Sequence, residues 1–357
     1  MIPNPGLRRN LGHGLASTRY GFSAPLTSSL TLDRGTGTPT FTRASTATVM
    51  GYAPTANLAD GQTLLTVASG EARFVGARRI SANNWSNTFA DGTAIPSATL
   101  LGYLSEGAAT NYFLNSGAPV TQTISLPTGT FTLGNILGSG SITSSAGTAT
   151  ATGYGVATSS ATNRIVVTVA GTVVFTKAGT VTQAQVENTA FATSYIPTTS
   201  AAVTRAADVL RYPSAGNVSL NGSAYMEIHS SITSSVWSNM FGMDFGGSAG
   251  SAANPYLSAD KTRMGLGAGP SSAALGLSAN SLVKVAGVWV YSATATQYNA
   301  TNGVITSGTI NTTNITLNAN LYIGSSSNGA SQPFGTIRNV RIWQTQLPNS
   351  TLQALTK

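Results

Sequence analysis

The 357-residue chain contains no cysteine and only two histidines, and 8% of its residues are charged. Soluble domains average about 25% charged residues, so the side chains that most acid–base and metal chemistry uses are scarce here. Without cysteine the chain forms no disulfide and no thiolate metal site. Its stability therefore has to come from buried apolar area or from association with other copies.

Long apolar runs and helix-favouring charged residues are also scarce. No stretch approaches the roughly 18 apolar residues of a membrane span, so no membrane insertion is expected. The first ten residues, MIPNPGLRRN, lack the apolar segment of a secretory signal, which indicates synthesis in the cytoplasm without export. Glu and Lys are too rare for helical bundles or coiled coils, whereas the abundance of Gly, Ser, Thr and Ala favours short strands and turns.

The chain does carry an excess of positive charge, with a formal net charge of +8. Residues 1–79 hold eight arginines against Asp33, Asp60 and Glu71, which is 8 − 3 = +5 of that excess. Long neutral stretches separate these arginines, so direct nucleic-acid binding is not predicted. We expect arginine to pair instead with carboxylates and backbone carbonyls, including those between packed subunits.

Glycine and proline divide the chain into four regions. Residues 1–26 are rich in both and show no period of 2 or 3.6, which predicts an extended arm. Prolines and Gly216 punctuate the chain between 194 and 216, which indicates a domain boundary there. We therefore predict a β-rich region over 27–111, a β-sandwich over 112–206 and a further domain over 207–357.

Short β-branched runs bounded by Gly, Asn, Pro or Ser predict many short antiparallel strands. In RIVVTVA (164–170) apolar residues recur with a period near two, and Gly171 before TVVFT (172–176) predicts a hairpin. Only the ending LPNSTLQALTK favours a helix, with Pro348 suited to its first turn. The predicted fold class is all-β, with one short C-terminal helix.

Several segments resemble known protein families. Three resemble tailed-bacteriophage virion proteins in which such blocks flank a β-sandwich insertion and precede a lectin-like domain; they are FTRASTAT (41–48), LGYLSEGAATNYFLNS (101–116) and QAQVENTAFATSYIPTTSAAVTRAADVL (183–210). The ending FGTIRNVRIWQTQLPNSTLQALT (334–356) and the Asn-Gly turn of TQYNATNGVITSG (296–308) resemble concanavalin A-like, or laminin G-like, jelly rolls. The resemblance implies a concanavalin A-like jelly-roll sandwich over 207–357.

The resemblance also implies a role as a virion structural protein, such as a tail fibre, a spike or a capsid-surface protein. Its expected partners are other virion proteins, further copies of itself as a homotrimer, and host-surface glycans. The arm is expected to anchor the chain to the particle through Arg8, Arg9, Arg19, Tyr20 and Phe22. Deleting residues 1–26 is then expected to leave a folded protein that no longer joins the particle.

Glycan recognition typically uses an aromatic platform with nearby polar groups. In NPYLSADKTRMGLG, Tyr256, Asp260 and Arg263 form the predicted glycan-contacting set. Trp237 and Trp289 are flanked by apolar residues and are predicted to lie in the core. These positions place the expected glycan contacts in the last third of the chain.

No catalytic, cofactor or metal residues are predicted. Glycan hydrolysis requires two nearby carboxylates, and no strand carries such a pair. Glu106 and Glu187 are predicted to accept hydrogen bonds or to pair with arginine at a boundary between sheets, for example Arg43 or Arg205. Carboxylates from different strands can still meet, so a tailspike depolymerase stays an alternative, as does a capsid cement protein without a ligand.

Two further candidate sites depend on isolated residues. His229 in YMEIHS (225–230) has no GxSxG partner motif, and it is predicted simply to end a strand. A single Ca²⁺ held by Asp244, Asp260 and carbonyl groups stays open, although no dense acidic loop supports it.

Overall fold

The computed structural model describes residues 21–230, 281–290, 295–310, 317–326 and 332–357, together with the short strands at 240–241, 243–244, 255–257 and 264–266. The described chain is all-β except for a 3-10 turn at Leu58–Asp60 and the C-terminal helix α1 (Asn349–Thr356). This confirms the predicted fold class. None of the helices within these ranges is long and apolar enough to cross a membrane.

The strands fall into three consecutive groups. The first group is β1 (Phe22–Ala24), β2 (Thr40–Thr42), β3 (Ala47–Gly51), β4 (Thr63–Val67), β5 (Phe74–Val75), β6 (Arg78–Ser81), β7 (Asn84–Ser86) and β8 (Gly102–Ser105). The second is β9 (Ala109–Asn111), β10 (Gln122–Leu126), β11 (Gly129–Leu137), β12 (Ser141–Ala146), β13 (Thr150–Thr152), β14 (Val156–Ala157), β15 (Asn163–Val169), β16 (Gly171–Ala178), β17 (Gln183–Glu187) and β18 (Val203–Arg205). The third is β19 (Val209–Pro213), β20 (Gly222–Ser230), β21 (Met240–Phe241), β22 (Met243–Asp244), β23 (Pro255–Leu257), β24 (Met264–Leu266), β25 (Ser281–Trp289), β26 (Ala295–Thr301), β27 (Val304–Ile310), β28 (Asn320–Ile323) and β29 (Gly335–Trp343).

The first and third groups build one domain, which we call the body. Its main sheet has the order β27-β26-β25-β20-β29-β8-β5, with β1 also paired to β29, and a second sheet has the order β2-β19-β28-β22. One apolar core contains residues from both groups, from Phe22 to Ile342. The predicted division between 27–111 and 207–357 does not match the structure, because β8 pairs with β29 and β5 pairs with β8 in the main sheet.

The predicted arm is also too long. Strand β1 runs antiparallel to β29, with Phe22 opposite Ile342. The Phe22 side chain is 0% exposed, and its ring meets the Tyr212 ring edge-on with centroids 5.1 Å apart. Phe22 is a core residue of the body, so a truncation through residue 26 would remove a strand from its main sheet.

The second group builds an inserted β-sandwich, which we call the insertion. Its sheets have the orders β10-β16-β12-β14 and β13-β15-β11-β17-β9-β18, and they enclose a separate apolar core. The predicted hairpin at Gly171 is wrong, because β15 and β16 belong to opposite sheets. A Cβ atom on Gly171 would lie 2.6 Å from the backbone nitrogen of Ala149, so the chain crosses here between sheets against neighbouring backbone.

The C-terminal predictions agree with the structure. Asn302 and Gly303 have φ angles of 48° and 78° and join β26 to β27, which confirms the Asn-Gly hairpin. Helix α1 buries Leu352 in a small cluster on the main sheet, where Trp343 also packs. Trp289 is 1% exposed, as predicted for a core residue. His229 is the second-last residue of β20, also as predicted.

Candidate functional site

The structure locates only part of the predicted site residues. Phe22 lies in the body core, as described above, and the other four anchoring residues, Arg8, Arg9, Arg19 and Tyr20, lie outside the described residues. Phe22 is therefore buried inside the body, and anchoring through the other four residues stays a prediction.

The predicted glycan contacts also lie mostly outside the described ranges. The backbone of Tyr256 belongs to β23 and pairs with Phe241 and Gly265. Asp260 and Arg263 fall between described strands. This set therefore stays a prediction.

Two other places in the described chain concentrate functional groups. The first is the junction between body and insertion, where the chain crosses twice, after β8 and again before β19. The crossings are bonded to each other: the Asp208 N–H donates to the Glu106 carbonyl (2.9 Å), and the Glu106 N–H donates to the Asp208 carboxylate (3.1 Å). The chain thus leaves the body for the insertion and returns to the body at one point.

A buried ionic cluster surrounds this point. Asp208 accepts a hydrogen bond from Arg43 (3.0 Å) and another from Arg73. Glu106 pairs with Arg73 at 2.9 Å and with Arg205 at 2.6 Å. The arginine and Asp208 side chains are 0% exposed and that of Glu106 is 6% exposed, so these ion pairs are shielded from solvent.

Segments 41–48, 101–116 and 183–210 meet in this cluster. Segment 41–48 supplies Arg43, segment 101–116 supplies Glu106, and segment 183–210 supplies Glu187, Arg205 and Asp208. The predicted pairing of Glu106 with Arg205 is confirmed. Glu187 hydrogen-bonds to both the backbone N–H and the hydroxyl of Thr193, also as predicted for a residue at a boundary between sheets.

The pKa values of the two glutamates diverge. Burial alone would raise the pKa of Glu106, but the charges of Arg205 and Arg73 and hydrogen bonds from Ser194 lower it to about 2. Burial raises the pKa of Glu187 to about 7, against the opposing effects of its Thr193 hydrogen bonds and of Arg205. Such divergence suits acid–base catalysis in an open cleft, yet Glu106 is 5% exposed and Glu187 is 1% exposed. Here these groups stabilise the junction between the body and the insertion.

The second place is a pocket on the body, with a volume of about 270 Å³. The loop after β1 and the hairpin β6–β7 form its rim with polar groups, which are Ser28, Ser29, Thr31, Asn83 and Asn84. Its apolar wall consists of Leu30, Pro39, Ala72, Phe74 and Trp85. The Phe74 and Trp85 rings meet edge-on with centroids 5.9 Å apart, which fixes the indole in place.

A buried carboxylate fixes the rim of this pocket. Glu71 is 0% exposed and accepts two hydrogen bonds from Arg79, at 2.7 and 2.8 Å. Burial would raise the pKa of Glu71, but these bonds, with further ones from the Ala68 and Asn83 backbone N–H groups, hold it below its ordinary value. The Asn83 bond ties down the hairpin turn, where Asn83 adopts a positive φ of 57° that asparagine tolerates.

Several polar groups of the pocket are free to bind a ligand. Asn83 and Asn84 are exposed. The Trp85 side chain is 8% exposed, and its indole Nε1–H is buried without a hydrogen-bond partner in the described structure. Because this nitrogen is itself shielded from solvent, a ligand in the pocket would contact the indole ring and not its N–H. Sequence reasoning missed the pocket, although two asparagines directly before a tryptophan gave a signal for it.

Metal binding finds no support in the part of the chain that the structure describes. No group of three or more His, Asp or Glu side chains there is arranged to hold an ion. The Ca²⁺ alternative at Asp244 and Asp260 depends on side chains outside the described set, so it stays open.

Comparison with known proteins gives similarity to parts of solved structures alone. No protein-family model matches the sequence, and no curated protein matches it. The Trypanosoma rangeli sialidase is 15% identical with a TM-score of 0.31, and the match covers 42% of this chain and 25% of the sialidase. The chain thus spans about a quarter of that protein.

Two smaller domains match over more of their own length. The Ruminococcus gnavus IT-sialidase CBM40, bound to alpha2,3 sialyllactose, is 15% identical with a TM-score of 0.29, over 40% of this chain and 88% of that domain. Domain 4 of AbnA, a GH43 extracellular arabinanase from Geobacillus stearothermophilus in complex with arabinotriose, is 15% identical with a TM-score of 0.30, over 48% of this chain and 84% of that domain. At these scores the similarity carries no argument about a site in this chain.

Proposed function

We propose that this chain is a non-enzymatic surface protein of a tailed-bacteriophage particle, anchored by its N-terminal residues and binding host-surface glycans through its body. The observation that carries glycan binding is the pocket at Trp85, which combines an apolar wall with a rim of exposed amides and hydroxyls. Sites for small ligands are typically apolar concavities that contain a few polar groups. The virion role is supported by the resemblance of three segments, which build the junction between body and insertion.

Binding without cleavage is proposed because of where the carboxylates lie. Glu106, Glu187 and Asp208 come together at the junction, but they are buried and face arginine or threonine side chains. The pocket lining contains no carboxylate. A glycosidase needs one protonated and one ionised carboxyl group beside the scissile bond, and the pocket offers neither.

Replacing Asn84 by alanine is expected to weaken glycan binding about 3- to 10-fold, because one or two hydrogen bonds to the glycan are lost. Asn84 is exposed on β7, so the fold should be unaffected. The measurement is a glycan array followed by titration calorimetry with the best-bound glycan. Asn87→Ala is the matched control, because Asn87 is exposed three residues further along and does not line the pocket.

The same purified protein separates the two alternatives. Release of new reducing ends from host capsule or lipopolysaccharide would contradict the non-enzymatic proposal and favour a depolymerase. An array without any bound glycan would contradict the glycan-binding proposal and favour a cement protein.

Deleting residues 1–20 is expected to give a folded protein that no longer joins the particle. The deletion keeps β1 and Phe22, whereas deleting residues 1–26 removes both and is expected to impair folding. Circular dichroism checks the fold, and immunoblotting of purified particles checks incorporation. Particles that incorporate the 1–20 deletion normally would contradict N-terminal anchoring. Light scattering on the intact protein tests the proposed homotrimer.

A further inference from the structure

The pocket at Trp85 is lined entirely by uncharged residues. From this we infer that it binds the terminal residue of a neutral saccharide and discriminates against acidic sugars such as sialic and uronic acids. The inference rests on the proposed glycan binding and names the ligand class of that pocket.

Glu71 and Arg79 both adjoin the pocket, and each neutralises the other. Glu71 precedes the wall residue Ala72, and Arg79 lies on the hairpin that carries Asn83 and Asn84. The Arg79 guanidinium donates two hydrogen bonds to the fully buried Glu71 carboxylate. Its charge is therefore already paired, and a sugar carboxylate placed in the pocket would lose water without gaining a counter-charge.

The polar groups of the pocket match those of a neutral sugar. The side-chain amides of Asn83 and Asn84 both donate and accept, as sugar hydroxyls do. The hydroxyls of Ser29 and Thr31 hold each other at 2.8 Å, so they form a fixed part of the rim.

The size of the pocket limits the ligand to about one sugar ring. A volume of about 270 Å³ lies slightly below the range of about 300 to 1,000 Å³ for drug-sized ligands. The apolar wall offers Leu30, Phe74 and Trp85 to the C–H face of such a ring, while the rim faces its hydroxyls. This two-sided lining favours a terminal residue that enters from solvent.

The experiment compares neutral with acidic monosaccharides on the full chain. Galactose, glucose, rhamnose and N-acetylglucosamine are titrated in parallel with glucuronate, galacturonate and N-acetylneuraminate. We expect a neutral sugar to bind at least about fivefold more tightly than any acidic one. Its affinity should not change between low and high salt, because no ion pair is formed.

Four variants assign that binding to the pocket. Asn84→Ala, which removes an amide from the rim, and Trp85→Phe, which reduces the area of the aromatic wall, should each weaken neutral-sugar binding, whereas Asn87→Ala should not. Asn84→Arg adds an unpaired cation at the rim and is expected to shift the preference toward acidic sugars. This shift is a readout that a purely structural role of Asn84 would not produce.

The outcomes separate the inference from the proposed function. A chain that prefers an acidic sugar, or whose neutral-sugar binding is unchanged in both Asn84→Ala and Trp85→Phe, overturns the inference and leaves glycan binding standing. A chain that binds none of these sugars and no glycan on the array overturns both. Circular dichroism of each variant ensures that a loss of binding is not a loss of fold.

Discussion

Replacing Asp208 by alanine is expected to lower the free energy of unfolding by about 3 to 5 kcal/mol, the cost of removing one partner from a buried ion pair. Asp208 accepts hydrogen bonds from Arg43, from Arg73 and from the Glu106 N–H. Without its carboxylate, Arg43 has no other acidic partner among the described residues, and both guanidinium groups are fully buried. The measurement is urea unfolding followed by circular dichroism.

Two variants control this result. Asp33→Ala removes an exposed carboxylate, and a change within about 0.5 kcal/mol is expected. Asp208→Asn keeps the shape and one acceptor oxygen but removes the charge, so its stability should lie between those of Asp208→Ala and the native chain. If Asp208→Ala unfolds at the same urea concentration as Asp33→Ala, the ionic cluster does not hold the junction.

Features encoded within a few residues could be predicted from the sequence. Asn302 and Gly303 take positive φ angles that few other residue types tolerate, so their hairpin is a local property. The C-terminal helix is equally local, because Pro348 precedes a segment whose leucines fall on one face. The all-β class followed from composition and from short β-branched runs in the same way.

Features that depend on which strands become neighbours could not be predicted from the same patterns. Alternation of apolar and polar residues shows that a segment is a strand. It carries no information on the partner strand, so the pairing of β1 with β29 was not predicted. The crossing at Gly171 was not predicted, because a tight turn and a connection between two sheets can have the same glycine-containing sequence. Both errors concern contacts between residues far apart in the chain.

The functional residues also differ in whether the sequence alone could identify them. Glu106, Glu187 and Arg205 lie in segments 101–116 and 183–210, which the sequence analysis singled out, so their interactions at a boundary between sheets could be expected. Arg73 joins that cluster from outside every such segment, so only the folded chain reveals it. The pocket at Trp85 likewise joins a loop after β1 to a hairpin more than fifty residues later, which no local pattern relates.

Replacing Glu187 by glutamine is expected to remove a pH dependence of stability. Burial raises the pKa of Glu187 from 4.5 to about 7 in the folded chain. Between these values the folded state holds a proton that the unfolded state has lost, so stability falls as pH rises from about 4.5 to about 7 and is level above that. A shift of this size corresponds to about 3 kcal/mol.

Glutamine suits this test because it stays neutral at every pH while keeping an acceptor for the Thr193 N–H and a donor for the Thr193 hydroxyl. The difference in unfolding free energy between the two proteins is measured in urea from about pH 5 to about pH 8. All other titrating groups, including Glu106 with its opposite shift, occur in both proteins and cancel to first order. The difference should shift in favour of glutamine by up to about 3 kcal/mol as pH rises. A constant difference would show that Glu187 is ionised throughout, and that Arg205 compensates its buried charge.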